Sequence, residues 1–442
     1  MEEEARGGIL GGTVDNAVVR PEAESDKESG GVAPANEISP HDPSIPDGGF
    51  LAWLQVAGSF TFFFNAWGLA NSFGTFQTYY ISRYPDQSAS NISLIGSIQC
   101  FLLFLTGALT GPLFDMGYFY YLETVGAFLV VFGMMMTSLT NSYWQVMLSQ
   151  GLCVGIGSGC LFLSGVGIAA TYFSSKRALA LGISAGGSSI GAVVYSIVFH
   201  RLEPRIGFRY ATVVIGFISL GTLSFALAVL RPRLGPSPKR SLFAFRALRE
   251  PPYGLFCVGV FLGFVGLYVP FFYISSYAMK KVHMGKSLSF YLVTILNAGS
   301  FGGRILPNFV ADKTGTLNVM VPSTIICAIL SFAWLGIFNN AGLIVFSVLY
   351  GFVSGTFVSL PPAVVAALTH NLHHVGSRIG TMFTFCAFGV LMGTPVAGVL
   401  VDLKNASFWK AELFGAMFLL GSGIFMFLAR QAKVGLSLGG KA

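Results

Sequence analysis

Arg304 is the residue whose position most demands a chemical explanation. It stands in the apolar run Asn297-Ala298-Gly299-Ser300-Phe301-Gly302-Gly303-Arg304-Ile305, which Asp312 closes eight residues later. A membrane-crossing helix of about 20 residues ending at Asp312 begins near Leu292, which puts Arg304 close to its centre. An arginine at that depth is unfavourable by about 2.5–3.5 kcal/mol, so it faces the protein interior or a wet cavity and pairs with something polar. Two roles are open: binding an anionic or strongly polar ligand, or bonding helix carbonyls. Asn65, Asn71, Gln99, Gln150, Tyr268, Tyr273 and Asn297 are neutral polar residues within other apolar runs. Each needs a partner or water there, so each is a candidate for the same cavity or for a bond between helices.

No arrangement supports catalysis. Cys100, Cys153, Cys160, Cys257, Cys327 and Cys386 fall in apolar runs without a Cys-x-x-Cys pair and read as packing residues. His370, His373 and His374 have no Asp, Glu or Cys nearby to complete a metal site. Gly155-Ile156-Gly157-Ser158-Gly159 looks like a dinucleotide turn but lies inside an apolar helix, with no strand before it. The chain is expected to be neither an enzyme nor a holder of cofactor or metal.

The elements that position Arg304 follow from composition. The chain has 442 residues, 53% hydrophobic and 10% charged, with a mean hydropathy of +0.69. A soluble domain carries about 25% charged residues, so a polytopic, all-α membrane protein is expected. Twelve apolar segments run approximately over 50–80, 91–114, 118–140, 143–172, 177–200, 208–230, 252–278, 287–311, 318–338, 340–368, 377–401 and 408–430. The hydrophilic stretch Arg231–Pro251, with six bases and one acid, divides them six and six. This predicts a tail over 1–47, a six-helix half over 48–230, a linker over 231–251, a second half over 252–430 and a tail over 431–442. Residues 1–47 hold eleven acids and three bases, and read as a disordered, solvated segment. The remaining chain has eight acids and twenty-three bases, set in short loops as membrane topology requires rather than as a nucleic-acid footprint. With both termini cytoplasmic, thirteen bases fall inside and nine outside. Asn91 and Asn405 then lie in external Asn-x-Ser glycosylation sequons.

The two halves look like repeats. Gln150-Gly151, Gly155 and Ser158-Gly159 have counterparts 200 residues on at Tyr350-Gly351, Gly355 and Val358-Ser359. Arg177 and Arg378 are 201 apart, and Asp115 and Asp312 are 197 apart. Paired halves imply a site between them near the midplane, reached by rocking one half against the other.

Over residues 46–430 the sequence resembles the major facilitator superfamily, and two motifs resemble its monocarboxylate-porter-like family in the fungal branch. Asp47-Gly48-Gly49-Phe50-Leu51-Ala52-Trp53 is similar to that family's D-G-G-aromatic opening. Tyr172-Phe173-Ser174-Ser175-Lys176-Arg177-Ala178-Leu179-Ala180-Leu181-Gly182 is similar to its Y-F-x-x-R-R-x-L-A-x-G element. Gly303-Arg304 leading to Ala311-Asp312, and Tyr350-Gly351-Phe352 with Ser354-Gly355, add to the likeness. Bland readings stand beside these: Asp47 as a helix cap, Lys176 and Arg177 as cytoplasmic topology signals, and the glycines from Gly182 to Gly191 as close-packing sites.

The resemblance implies a twelve-helix transporter working by alternating access, with Arg304 binding a substrate carboxylate. It also marks two departures. The Asp that human-type carriers place one turn before that Arg is Ser300 here, and the Lys of their first helix aligns with Asn71. No Asp, Glu, Lys or His is expected deep in any segment, with Asp115, Glu123 and Asp312 near the cytoplasmic boundary. Proton coupling is therefore expected to be weak. The expected substrate site is Arg304, Ser300, Asn297, Asn71, Asn65, Gln150 and Tyr268. Asp47, Asp115, Lys176, Arg177, Asp312 and Arg378 are the gating candidates. The cargo is expected to be a small organic, anionic or polar metabolite, with efflux of a secondary metabolite favoured. Uptake of a monocarboxylate or vitamin is the alternative, and a non-transporting membrane sensor a more distant one. The plasma membrane is the expected location, and the lipid bilayer and the small-molecule substrate are the expected partners.

Overall fold

A computed structural model describes residues 46–173, 176–233, 241–369 and 374–435. The acidic tail up to Ile45, Ser174-Ser175, part of the linker, His370, His373 and the last seven residues lie outside the described residues, as do the side chains of Arg177 and Ala178. Residues Pro43–Ala442 make one compact unit. Among the described residues every regular element is helical: α1 Gly49–Asn71, α2 Phe73–Arg83, α3 Ala89–Asp115, α4 Phe119–Ser138, α5 Tyr143–Val146, a π-helical stretch Met147–Val154, α6 Gly155–Thr171, α7 Arg177–Val229, a short 3-10 turn Phe245–Arg249, α8 Pro251–Lys280, α9 Lys286–Thr314, α10 Thr316–Trp334, α11 Asn340–Ser359, α12 Pro361–Ala367, α13 Val375–Leu400 and α14 Trp409–Val434.

Local chemistry sets the boundaries. Ser88 and Asn339 cap α3 and α11 by accepting from the backbone N–H of Asn91 and Gly342 at 3.1 and 2.6 Å. Pro251-Pro252 opens α8, where a missing N–H loses nothing. Asp47 does not cap α1, contrary to the bland expectation: Gly48 holds the cap position, and the Asp47 N–H donates to the Tyr172 carbonyl at the end of α6. Pro361 separates α11 from α12, whereas Pro270 leaves α8 continuous. The fifth and sixth apolar segments run together as α7, bent at Gly207, whose φ of 80° is open to glycine and closed to most other residues. The first apolar segment is interrupted at Ser72, between α1 and α2.

Among the described residues nine helices are long and apolar enough to cross a membrane. α1 and α9 fall outside that set because of their polar load, which includes Gln55, Asn65 and Asn71 in one and Asn297, Arg304 and Asn308 in the other. Large apolar side chains such as Tyr121, Phe128, Phe309 and Val399 point outwards, as lipid contact requires. Helices α1–α7 pack mainly on one another, as do α8–α14. The two groups meet where α3 lies along α13, α7 along α9 and α2 along α8. Small residues allow the close approaches: a Cβ on Gly187 or Gly191 would lie 2.1 Å from the Phe60 or Phe64 carbonyl of α1. Of the glycines expected to pack closely, Gly182 meets nothing within 4 Å.

Candidate functional site

The interruption after Asn71 is what builds the site. It leaves the last residue of α1 at the boundary between the two helical groups, where the Tyr268 hydroxyl of α8 donates to Asn71 Oδ1 at 3.4 Å. Asn297 Nδ2 of α9 donates to the Asn71 carbonyl at 3.3 Å and to its own helix at Val293 at 2.9 Å. Asn297, Ser300 and Arg304 recur at three- and four-residue intervals on one face of α9. Arg304 is 4% exposed, and its Nε donates to Ser300 Oγ at 3.3 Å. Among the described residues no carboxylate forms an ion pair with it. Three helices thus bring Asn71, Tyr268, Asn297, Ser300 and Arg304 together.

Asn71 Nδ2 and Asn297 Oδ1 of this set remain without a partner among the described residues, as do Gln150 Nε2 and both ends of Gln77 and Gln99 on other helices. An unsatisfied buried polar group costs about 1–3 kcal/mol, so each of these amides is a candidate to meet a polar ligand or water. Gln150 Oε1 accepts from Tyr80 at 2.6 Å. Gln77 escaped the sequence reading, although an amide in the run Phe73-Gly74-Thr75-Phe76-Gln77 carries the same signal as Asn71. Asn65 belongs elsewhere. Its Nδ2 donates to Thr61 and to Thr222, and its Oδ1 accepts from Tyr195, so it ties α1 to α7 within one group.

At the end of the bundle carrying Arg83 and His200, the two groups are closed on each other. Ser90 and Ser93 of α3 donate to the Pro395 and Thr394 carbonyls of α13 at 2.8 and 3.2 Å, and Ser97 bonds Thr394 Oγ1. Tyr273 of α8 also donates to the Ala89 carbonyl of α3 at 3.5 Å. Gly74 at the start of α2 lies against the Phe271 carbonyl. His200 stacks on Phe290 at 4.8 Å and contacts Ser287 at 3.2 Å. None of this cross-group closure was legible from the sequence.

At the opposite end, Arg378 makes a bidentate ion pair with Glu250 at 2.8 and 2.5 Å and stacks over Tyr253. Its partners lie within the second group and the end of the linker, so the contact fastens the linker to α13 rather than bridging the groups. Lys176 and Asp312 are exposed. Asp115, at the last position of α3, has an interaction of its own. Asn91 and Asn405 are exposed and donate to Gln87 and Asp402 at 3.0 and 2.6 Å. The Asn405 amide, helped by the backbone N–H groups of Asn405 and Lys404, holds the Asp402 carboxyl below the usual carboxylate range.

Glu123 stands at the fifth position of α4, near that helix's end, and is wholly buried, with no hydrogen-bond partner for either carboxyl oxygen among the described residues. The nearby Ser164 hydroxyl donates to the Cys160 carbonyl. Glu412, four residues into α14, is also buried. An apolar crevice of about 320 Å³ on the outer face of α4 and α5, lined by Phe132, Trp144 and Leu148 among others, includes none of the site residues.

Residues 57–337 match the family model described as Major Facilitator Superfamily. The chain belongs to that superfamily. It is 43% identical over 385 residues to the MFS-type transporter dbaD of Emericella nidulans, covering 87% of each chain. Similarity to the aspyridones efflux protein apdF of the same organism is 37% identity over 410 residues, 92% of this chain and 83% of the other. To the MFS transporter asaE of Aspergillus flavus it is 35% over 418 residues, 93% of each. With these relatives and its apolar helices, the chain is a multi-pass membrane transporter of the superfamily and not an enzyme.

Proposed function

We propose that this transporter exports a small, acidic secondary metabolite by alternating access, with the acid group of the cargo bound at Arg304. The observation that carries the reading is a buried guanidinium, without a carboxylate partner among the described residues, set where α1, α8 and α9 meet and beside orphaned amides. The likeness to the aspyridones efflux protein supports the direction of transport. The D-G-G opening and the Lys176-Arg177 element favour the monocarboxylate-porter-like branch, with Ser300 and Asn71 as its departures.

Twelve spans follow if α1 with α2 and α9 each count as a crossing, and α7 counts as two, joined at Gly207. Equivalent contacts 200 and 201 residues apart support two repeats. Gly151 and Gly155 pack on Ile95 and Gln99 of α3, while Gly351 and Gly355 pack on Leu296 and Ser300 of α9. By that symmetry Gln99 faces the site from α3 as Ser300 does from α9. The gating candidates fall to the cytoplasmic side of this arrangement, with both termini cytoplasmic, Asn91 and Asn405 external and the plasma membrane as the location.

Saturable flux of an organic acid into vesicles holding the purified protein tests the proposal. Acid flux that Arg304→Gln leaves unchanged per folded molecule refutes the role of Arg304. The absence of any saturable flux refutes transport itself.

A further inference from the structure

A second feature of the same region concerns the body of the cargo rather than its charge. Beside the Asn71–Tyr268 bond, aromatic rings from both helical groups form a continuous cluster. Tyr268 stacks on Phe264 one turn earlier in α8, with centroids 6.2 Å apart. Phe264 meets Phe104 of α3 edge-on at 5.2 Å, and Phe104 meets Phe383 of α13 at 5.5 Å. Phe162 of α6 touches Phe383 at 5.2 Å, and Trp67 of α1 lies 5.0 Å from Phe104 and 5.5 Å from Phe162. All six are buried.

The depths coincide. Counted from the helix ends at Thr314, Asp115 and Val375, at a rise of about 1.5 Å per residue, Arg304 lies about 15 Å in, Phe104 about 16 Å and Phe383 about 12 Å. Trp67, Phe104 and Phe162 come from the first group, and Phe264, Tyr268 and Phe383 from the second. The cluster therefore straddles the boundary that must open when the groups move apart, and its ring faces would then line the space next to Arg304. Aromatic side chains offer flat, rigid surfaces at low conformational cost and favour offset or edge-on contacts with another ring. Aliphatic residues would fill a permanent core as well, without providing a slot for a plane.

We propose that the cargo is a flat, conjugated acid: its acidic group meets Arg304, and its ring system enters between Phe104, Phe383 and Phe264. This rests on the acid-export reading above and adds the shape of the substrate to it.

Equilibrium binding to the purified full-length protein tests it with three probes: 2-naphthoate, octanoate and 2-naphthalenemethanol. Naphthoate is expected to bind roughly tenfold tighter than octanoate, as two or more ring contacts would give. Phe383→Leu and Phe104→Leu should erase that preference while keeping octanoate binding, which also shows that the variants are folded. Phe383→Tyr, which keeps the ring, should retain it. Equal affinity for the two acids in the unaltered protein overturns the inference, as does a preference that survives both leucine variants. Tight naphthalenemethanol binding that needs the rings but ignores Arg304→Gln would uphold the aromatic slot and overturn the acid reading instead. Binding of none of the three by folded protein overturns both.

Discussion

Replacing Gly74 by alanine should drive the transporter out of the closed arrangement at its Arg83 end. A Cβ on Gly74 would sit 2.0 Å from the Phe271 carbonyl oxygen, while ordinary contact begins at 3.4 Å, so α2 and α8 must separate by 3.4 − 2.0 = 1.4 Å. The obstacle is backbone, which cannot rotate aside. Overpacking of this kind costs about 1–3 kcal/mol, and a factor of ten in an equilibrium constant is about 1.4 kcal/mol. If rigid movement of one helical group against the other relieves the clash, the closed arrangement loses roughly 5- to 150-fold in population relative to the open one. Gly187 provides the control. Its Cβ would lie 2.1 Å from the Phe60 carbonyl, a clash of equal size between α1 and α7, inside one group, where opening relieves nothing. Gly187→Ala should lower thermal stability without changing access. The readout is the rate at which a membrane-impermeant maleimide labels Ser90→Cys, a position that bonds Pro395 across the closure. Labelling that is unchanged by Gly74→Ala, or raised equally by Gly187→Ala, would refute the claim that this approach holds the closure.

Four further outcomes can be measured. Arg304→Lys keeps the charge but loses the planar fork that grips a carboxylate through two parallel bonds, so it and Arg304→Gln should reach the membrane normally and lose most flux; loss of surface expression before flux would make Arg304 structural. Glu123→Gln should leave folding within about 1 kcal/mol of the parent, because the amide matches the carboxyl in shape and brings no charge into the interior; if it abolishes a dependence of flux on the pH gradient, the expectation of weak proton coupling is wrong and Glu123 is the carrier. Because Asp402 is held below its ordinary range, its bonds to Asn405 and Lys404 support the loop above the usual carboxylate range and are lost only as pH falls through the lowered value; proteolysis of the 402–407 loop followed down to roughly pH 2 should show that late transition, and Asn405→Ala should move it upwards. Asn405→Gln should remove a glycan-sized mobility shift in the protein expressed in a eukaryotic host, and an unchanged migration would place that loop inside or leave it unmodified.

The helices were legible because lipid and a packed helix interior impose the same demand, long apolar runs, and that demand is local in sequence. The polar residues of α9 were legible for the converse reason: Asn297, Ser300 and Arg304 violate the pattern at helical spacing, and such violations persist where they are used. What could not be read depended on contacts between distant segments. Asn65 and Asn71 look alike in sequence, yet one is saturated by Thr222 and Tyr195 while the other reaches Tyr268 and keeps a free amide donor. Nothing in the sequence around Arg378 shows that Glu250 folds back onto it. Glu123 lies near the start of α4 as its sequence position suggests, but its burial depends on the Gly126–Gly157 approach that packs α6 against α4. The serines at 90, 93 and 97 carry no warning at all, since small polar residues are ordinary in membrane helices.

The charge arrangement bears on how such a protein can move an acid without a proton-cycling partner beside its arginine. With Ser300 where a carboxylate would neutralise it, Arg304 is a buried charge relieved only by a weak neutral acceptor at 3.3 Å. A cargo anion supplies the missing charge, so the loaded site is electrically balanced and the empty one is not. Moving an unbalanced charge between two access states is the harder step in a low-dielectric interior. Under the acid-export proposal the reorientation of the loaded carrier is the faster one, and the proposed driving force is the cargo gradient or exchange against another acid. The neutral amides around the site fit this scheme: Asn71, Gln99 and Asn297 can orient a polar body without adding charge to the balance. A carboxylate at position 300 would balance the charge of Arg304 in the absence of cargo and compete with the acid for it, which is why Ser300→Asp and the cargo's own acid group amount to two answers to one electrostatic problem.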